Sequence, residues 1–166
     1  MPTLTLKGHP IHTSGSLPIV GSQAKDFSLV DHKLAENTLN DFQGKKKIIY
    51  TVPSLDTPVC SMSTKKLSER LNNDPKTVLL LISADLPFAQ TRVCGIEGIS
   101  NIHTLSMMRS KQFAQDYGIL IMDGPLAGLC ARALFVLDEN NKVLYGDAVS
   151  EITNEPDYET VLKTLL

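Results

Sequence analysis

The chain has 166 residues, a formal net charge of −2, and 42% apolar and 20% charged residues. A chain of this size buries a core without help from disulfides or metals and suits a single domain spanning 1–166. The charge balance excludes a broad nucleic-acid surface, which needs a basic excess, and the longest fully apolar runs, residues 78–82 and 133–137, fall far short of the ~20 residues of a spanning helix.

Residues 3–13 alternate about Gly8 and predict a small hairpin. Residues 14–21 read as loop. Residues 27–30 and 47–52 read as strands, the second rich in β-branched side chains, with a turn at 39–44 between them. Lys45, Lys46 and Lys47 read as a solvated turn ahead of that strand. A helix is expected over about 58–71, stopped by Asn72-Asn73-Asp74-Pro75. Residues 77–83 are almost continuously apolar, as in a central strand buried on both faces. A short helix over 87–94 is expected to close at Gly95. A further helix is expected to start near Ser106 and close at Gly118. Residues 131–137 and 142–145 flank the turn Asp138-Glu139-Asn140-Asn141 as paired strands. The last helix is expected over 155–166, with Asn154 as N-cap, Pro156 in its first turn and Tyr158, Val161, Leu162 and Leu165 facing a core. This order predicts an α/β fold with a mixed sheet.

The N-terminus, Met1-Pro2-Thr3, shows no basic segment followed by an apolar stretch, so no signal peptide is expected and the chain is expected in the cytoplasm. There are three cysteines, Cys60, Cys94 and Cys130. A sparse, odd set without C-x-x-C fits neither a secreted disulfide framework nor a metal knuckle. Such cysteines are either small buried hydrophobes or redox and catalytic groups.

Cys60 follows a strand and opens a helix, and sites in α/β sheets gather at the carboxyl ends of strands. With Thr57 as N-cap and Pro58 as the first helical residue, Cys60 is the third. There the free backbone N–H groups and the helix dipole favour a thiolate, the nucleophilic form. Position alone leaves a second reading open, a buried Cys packing at a helix start. A cysteine hydrolase would need a His base, and none of His9, His12, His32 and His103 lies in a segment placed beside Cys60. A disulfide reductase would carry a second Cys three residues on, where Ser63 stands.

Pro53, Thr57 and Cys60 fall in register with the peroxiredoxin pattern P-x-x-x-T-x-x-C. Residues 83–95, containing Cys94, residues 123–133, containing Arg132, and residues 147–158, ending Asn-Glu-Pro-Asp-Tyr, resemble the same family. The sequence is similar over its full length to atypical two-cysteine peroxiredoxins of the thiol peroxidase subfamily. The resemblance implies a thioredoxin-like fold with an N-terminal hairpin, a homodimer, no cofactor or metal, and a peroxide substrate, either hydrogen peroxide or an organic hydroperoxide. It makes Cys60 the residue that attacks the peroxide and becomes a sulfenic acid, and Cys94 the one that resolves it as a disulfide, which thioredoxin then reduces. Thr57 resembles the hydroxyl that binds peroxide and thiolate, Pro53 the shield over the pocket, and Arg132 the arginine beside the thiolate, with Arg92 and Arg109 as alternatives. Cys130 reads as a small buried hydrophobe. Leu55, Val59, Phe88 and Leu120 are the apolar candidates to border the site. A non-catalytic redox sensor using the same two thiols is the competing reading.

Overall fold

The computed structural model describes residues 3–71 and 74–166. Strands β1 (Leu4–Leu6) and β2 (His9–Ile11) form the expected hairpin, turning at Lys7 and Gly8. After the loop come β3 (Leu29–Val30), β4 (Glu36–Asn37) and a 3₁₀ turn at Leu39–Phe42. Then follow β5 (Lys46–Thr51), α1 (Pro58–Arg70), β6 (Thr77–Ser83), α2 (Pro87–Glu97) and β7 (His103–Ser106). The chain continues with α3 (Gln112–Asp116), β8 (Ala133–Leu137), β9 (Val143–Ala148) and α4 (Tyr158–Thr164).

The main sheet runs in the order β4-β3-β7-β6-β5-β8-β9, with β5, β6 and β7 parallel and the remaining pairs antiparallel. Successive side chains of a strand point to opposite faces, and the core divides accordingly. Ile49, Leu80, Ile82 and Phe135 pack on one face with Phe113 and Tyr117. Ile48, Tyr50, Leu79, Leu81, Leu134 and Val136 pack on the other against Cys60 and Leu67 of α1, Val93 of α2 and Val161 of α4. The carboxyl ends of β5 and β6 therefore deliver the chain directly to the starts of α1 and α2. Among the described residues no helix is long and apolar enough to cross a membrane.

Five details depart from the sequence-based expectations. Of the lysine run only Lys45 is an exposed bend ahead of the strand; Lys46 already opens β5. Lys47 lies inside β5 and is fully buried, its amine reaching the Glu139 carbonyl at 3.5 Å. Burial lowers its pKa, with Asp138 and Glu139 acting against the shift. The helix expected from Ser106 is instead β7 followed by the short α3. Residues 103–106 pair along β6, Met107 N–H bonds the Ser83 carbonyl, and the Ser106 hydroxyl donates to the Asp85 carbonyl, so these residues are committed to the sheet. Helix α2 runs through Gly95 and ends at Gly98, which takes the left-handed conformation (φ 65°). Helix α4 begins later than expected, because Asp157, not Asn154, accepts the Thr160 N–H at 3.1 Å. The preceding turn is occupied elsewhere: Glu151 accepts the Thr5 hydroxyl and the N–H groups of Lys7 and Gly8, tying it to the hairpin. Finally, α1 ends at Arg70, and Asn72 and Asn73 of the expected stop lie outside the described residues.

Candidate active site

The loop between β5 and α1 sets the geometry. Thr57 has extended backbone (φ −133°, ψ 150°), and Pro58, with its fixed φ and missing N–H, starts the helix. Cys60 is the third helical residue and is 1% exposed. The Thr57 hydroxyl does not cap the helix but donates to the Ser54 carbonyl at 3.0 Å. Its lone pairs remain available to accept a hydrogen bond.

The loop is fastened from outside. Asp85, just beyond β6, takes the Ser54 hydroxyl on one carboxylate oxygen and the Leu55 N–H on the other, both at 2.7 Å. The Ser83 hydroxyl adds a bond at 2.8 Å.

Cys60 lies at a pocket of about 230 Å³. Pro53, Thr57, Pro58 and Val59 line it from the loop and α1, Arg132 and Leu126 from the segment before β8, and Ile152 and Thr153 from the turn before α4. Arg132 is 2% exposed. Its Nε donates to the Ile152 carbonyl at 3.0 Å and its Nη1 to the Tyr50 hydroxyl at 2.9 Å. A charge buried so deeply needs partners. Burial alone would lower the arginine's pKa, but the neighbouring Tyr50 and Cys60 raise it.

The structure thus brings Pro53, Thr57, Cys60 and Arg132 around one pocket and leaves Cys94 outside it. Cys94 is on α2, half-buried against the core cluster that contains Cys60. Burial pushes its thiol up to about 11. A separate groove of about 480 Å³ runs between the helices, with Thr57, Pro58, Ser61, Met62 and Lys65 on one wall and Val93 and Glu97 on the other. All three cysteines are free. Cys130 is fully buried with its sulfur 3.3 Å from Met107 Sδ; burial, then the Asp85 charge, push its thiol up to about 12.

Of the apolar candidates only Val59 borders the pocket. Leu55 lines the interhelical groove, Phe88 is 66% exposed on α2, and Leu120 packs on the opposite face of the sheet. Arg92 is exposed, and Arg109 pairs with Glu36. Residue-by-residue reading missed Tyr50, Asp85, Leu126, Ile152 and Thr153. A signal existed for Asp85, which follows the carboxyl end of a buried strand; the others meet Cys60 through tertiary folding alone. Among the described residues no group of three or more His, Cys, Asp or Glu is gathered to hold a metal.

A family model described as Redoxin matches residues 19–162. The thiol peroxidase of Leptospira interrogans serogroup Icterohaemorrhagiae serovar copenhageni (strain Fiocruz L1-130) is 45% identical over 164 residues, 98% of this chain and 96% of its own. The crystal structure of a peroxiredoxin-like protein from Aquifex aeolicus superposes with a TM-score of 0.93 at 38% identity, covering 99% of this chain and 96% of that one. A thiol peroxidase from Chromobacterium violaceum gives 0.92 at 26% identity, with 99% and 95% covered.

Proposed function

Because the chain belongs to the Redoxin family and is a thiol peroxidase of thioredoxin-like fold, we propose that Cys60 reduces hydrogen peroxide and organic hydroperoxides, that Cys94 closes a disulfide onto it, and that thioredoxin reopens that disulfide. The observation that carries the reading is a cysteine at a helix start sharing one small pocket with a buried arginine that is held in place by two hydrogen bonds.

The Cys60 thiolate attacks the distal peroxide oxygen. The S–O bond forms as the O–O bond breaks, and the leaving oxygen takes a proton to depart as water or alcohol. Negative charge develops on the oxygens, and fixed donors aimed at it lower the barrier. Arg132 is the principal donor. Thr57, whose proton is held by Ser54, accepts the peroxide O–H and orients it. Pro53, Val59, Leu126 and Ile152 limit water at the sulfenic acid and suit an alkyl group.

Cys94 then attacks the Cys60 sulfur as a thiolate and hydroxide leaves. In the folded form its burial opposes ionisation, so this step proceeds through local opening at α2 and the first turn of α1. A dithiol partner, thioredoxin, opens the disulfide by exchange, restoring two thiols. The same reading takes 1–166 as one peroxiredoxin domain acting as a homodimer, on the strength of the family resemblance, with the cytoplasm as its expected location.

The test is peroxide consumption coupled to thioredoxin, thioredoxin reductase and NADPH. Cys60→Ser is expected to abolish all turnover, Cys94→Ser only thioredoxin-dependent recycling, and Cys130→Ser neither. Turnover surviving in Cys60→Ser would overturn the assignment. A Cys60–Cys94 disulfide that forms without turnover would favour a redox sensor.

A further inference from the structure

Tyr50 lies in β5, fully buried, on the sheet face that carries Cys60. Neither the family motif nor the steps above give it a task. Its hydroxyl nevertheless joins two groups of the site, Arg132 Nη1 at 2.9 Å and Ser63 Oγ at 2.6 Å.

Proton counting gives this contact a direction. A guanidinium only donates, so the Tyr50 oxygen accepts from Arg132. The single phenolic proton is then free for Ser63. The Ser63 hydroxyl donates onward to the Val59 carbonyl at 2.7 Å, with the Cys60 carbonyl at 3.2 Å. Every proton in this sequence finds an acceptor, and buried networks of this kind rigidify only when fully satisfied. The hydrogen bonds lead from the guanidinium beside β8 to the first turn of α1, the turn that carries the thiol. The Ile152 carbonyl fixes the other end of the guanidinium, and a planar group held at two points has little freedom left.

We infer that Tyr50 is a positioning residue for the peroxide step: it holds Arg132 against Cys60 and, through Ser63, ties that arginine to the first turn of α1. The inference rests on the peroxidase reading above. It makes the arginine's placement conditional on a folded first turn. When the turn opens for disulfide closure, the Ser63–Val59 link is lost and the arginine is released with it.

The experiment follows single-turnover sulfenic acid formation at Cys60 in reduced protein mixed with hydrogen peroxide, by rapid quench and mass spectrometry. Tyr50→Phe removes only the hydroxyl and is expected to slow the step about tenfold, the scale of a lost hydrogen bond to a charged group. Tyr117→Phe removes another buried phenol, one that bonds the Lys25 carbonyl at 2.8 Å on the other face of the sheet, and is expected to leave the rate unchanged. In an Arg132→Lys background, Tyr50→Phe is expected to add little further loss, because the two residues act as one unit. A wild-type rate in Tyr50→Phe, or full additivity with Arg132→Lys, overturns the inference. If Tyr50→Phe does not fold, Ser63→Ala strands the phenolic proton and decides by the same rate: slower supports, unchanged overturns. Absence of Cys60 sulfenic acid in the wild type would instead overturn the peroxidase reading.

Discussion

The Asp85 carboxylate holds the backbone of Leu55, accepting its N–H at 2.7 Å. The same carboxylate takes the hydroxyls of Ser54 and Ser83, and the residue stands between β6 and α2. One side chain thus joins the loop that presents Pro53 and Thr57 to the segment leading into the helix of Cys94. Three donors share two charged oxygens. Asp85→Asn replaces one oxygen with a donor and leaves protons facing protons. The fold is expected to lose about 2 kcal/mol, as for other hydrogen bonds to charged groups. Peroxide oxidation of Cys60 should slow as the loop loosens. Urea denaturation and single-turnover oxidation check both; a variant unchanged in both would show that the loop holds its shape without the carboxylate.

Arg132 serves two acceptors, the Ile152 carbonyl and the Tyr50 hydroxyl, and lines the pocket of Cys60. Lysine keeps the charge but concentrates it on one nitrogen, without the planar fork. Arg132→Lys is expected to lower kcat/KM for peroxide about a hundredfold, in the range of a lost oxyanion donor. Arg132→Met should fall further and also destabilise the fold, since it leaves the Ile152 carbonyl without its partner in a buried setting. A steady-state assay with saturating thioredoxin separates this from any effect on recycling. Equal activity of the Lys variant and wild type would show that charge alone suffices.

The parts of this molecule that were legible in its sequence are those set by local chemistry. Thr57-Pro58 fixed the start of α1 and with it the place of Cys60. Gly118 was a sound stop: at φ 70° it lies where a Cβ would come 2.2 Å from the Ser16 carbonyl oxygen. Misreadings arose where a distant partner decided. Residues 103–106 carry a mixed polar pattern that reads as strand only once β6 lies alongside. Lys47 looks solvated next to Lys45 and Lys46, yet strand alternation turns it inward between Val78 and Leu137. Arg132 was found by resemblance, while Tyr50 and Ile152, which hold it, are apolar-pattern residues with no local mark of function.

Cys130 offers a check by pH. Its thiol is pushed up to about 12 when folded, against about 8.5 for an unperturbed thiol. Below the unfolded value both states are protonated and this difference adds full stability. As pH rises from there toward 12, the unfolded chain ionises while the folded one stays protonated, so stability is lost. Cys130→Ala lacks this titration. The stability advantage of reduced wild type over Cys130→Ala, read from urea midpoints, is expected to shrink as pH rises above about 8.5. Buried tyrosines titrate in the same region but are common to both proteins and cancel in the difference. An advantage that stays constant with pH would mean that the folded thiol ionises as readily as the unfolded one.

Gly95 and Gly98 bracket the last turn of α2, next to Cys94, and differ in what they permit. Gly98 has φ 65°, and it and Ile99 turn their N–H groups to the Cys94 carbonyl, closing the helix. Gly95 is inside the helix, and a Cβ built on it meets nothing within 4 Å. A glycine in that setting costs the helix roughly 1 kcal/mol relative to alanine. Gly95→Ala is therefore expected to stabilise the reduced protein by up to about that amount. If disulfide closure requires this turn to open, the same energy is added to the opening. Formation of the Cys60–Cys94 disulfide from the sulfenic acid should then slow about fivefold, while oxidation of Cys60 by peroxide stays unchanged. With closure slowed, the sulfenic acid lives longer and overoxidation by excess peroxide should rise. Rapid-quench mass spectrometry resolves thiol, sulfenic acid, disulfide and sulfinic acid in one time course. A variant that is more stable but closes its disulfide at the wild-type rate would show that α2 keeps this turn during resolution, and that the movement lies in α1.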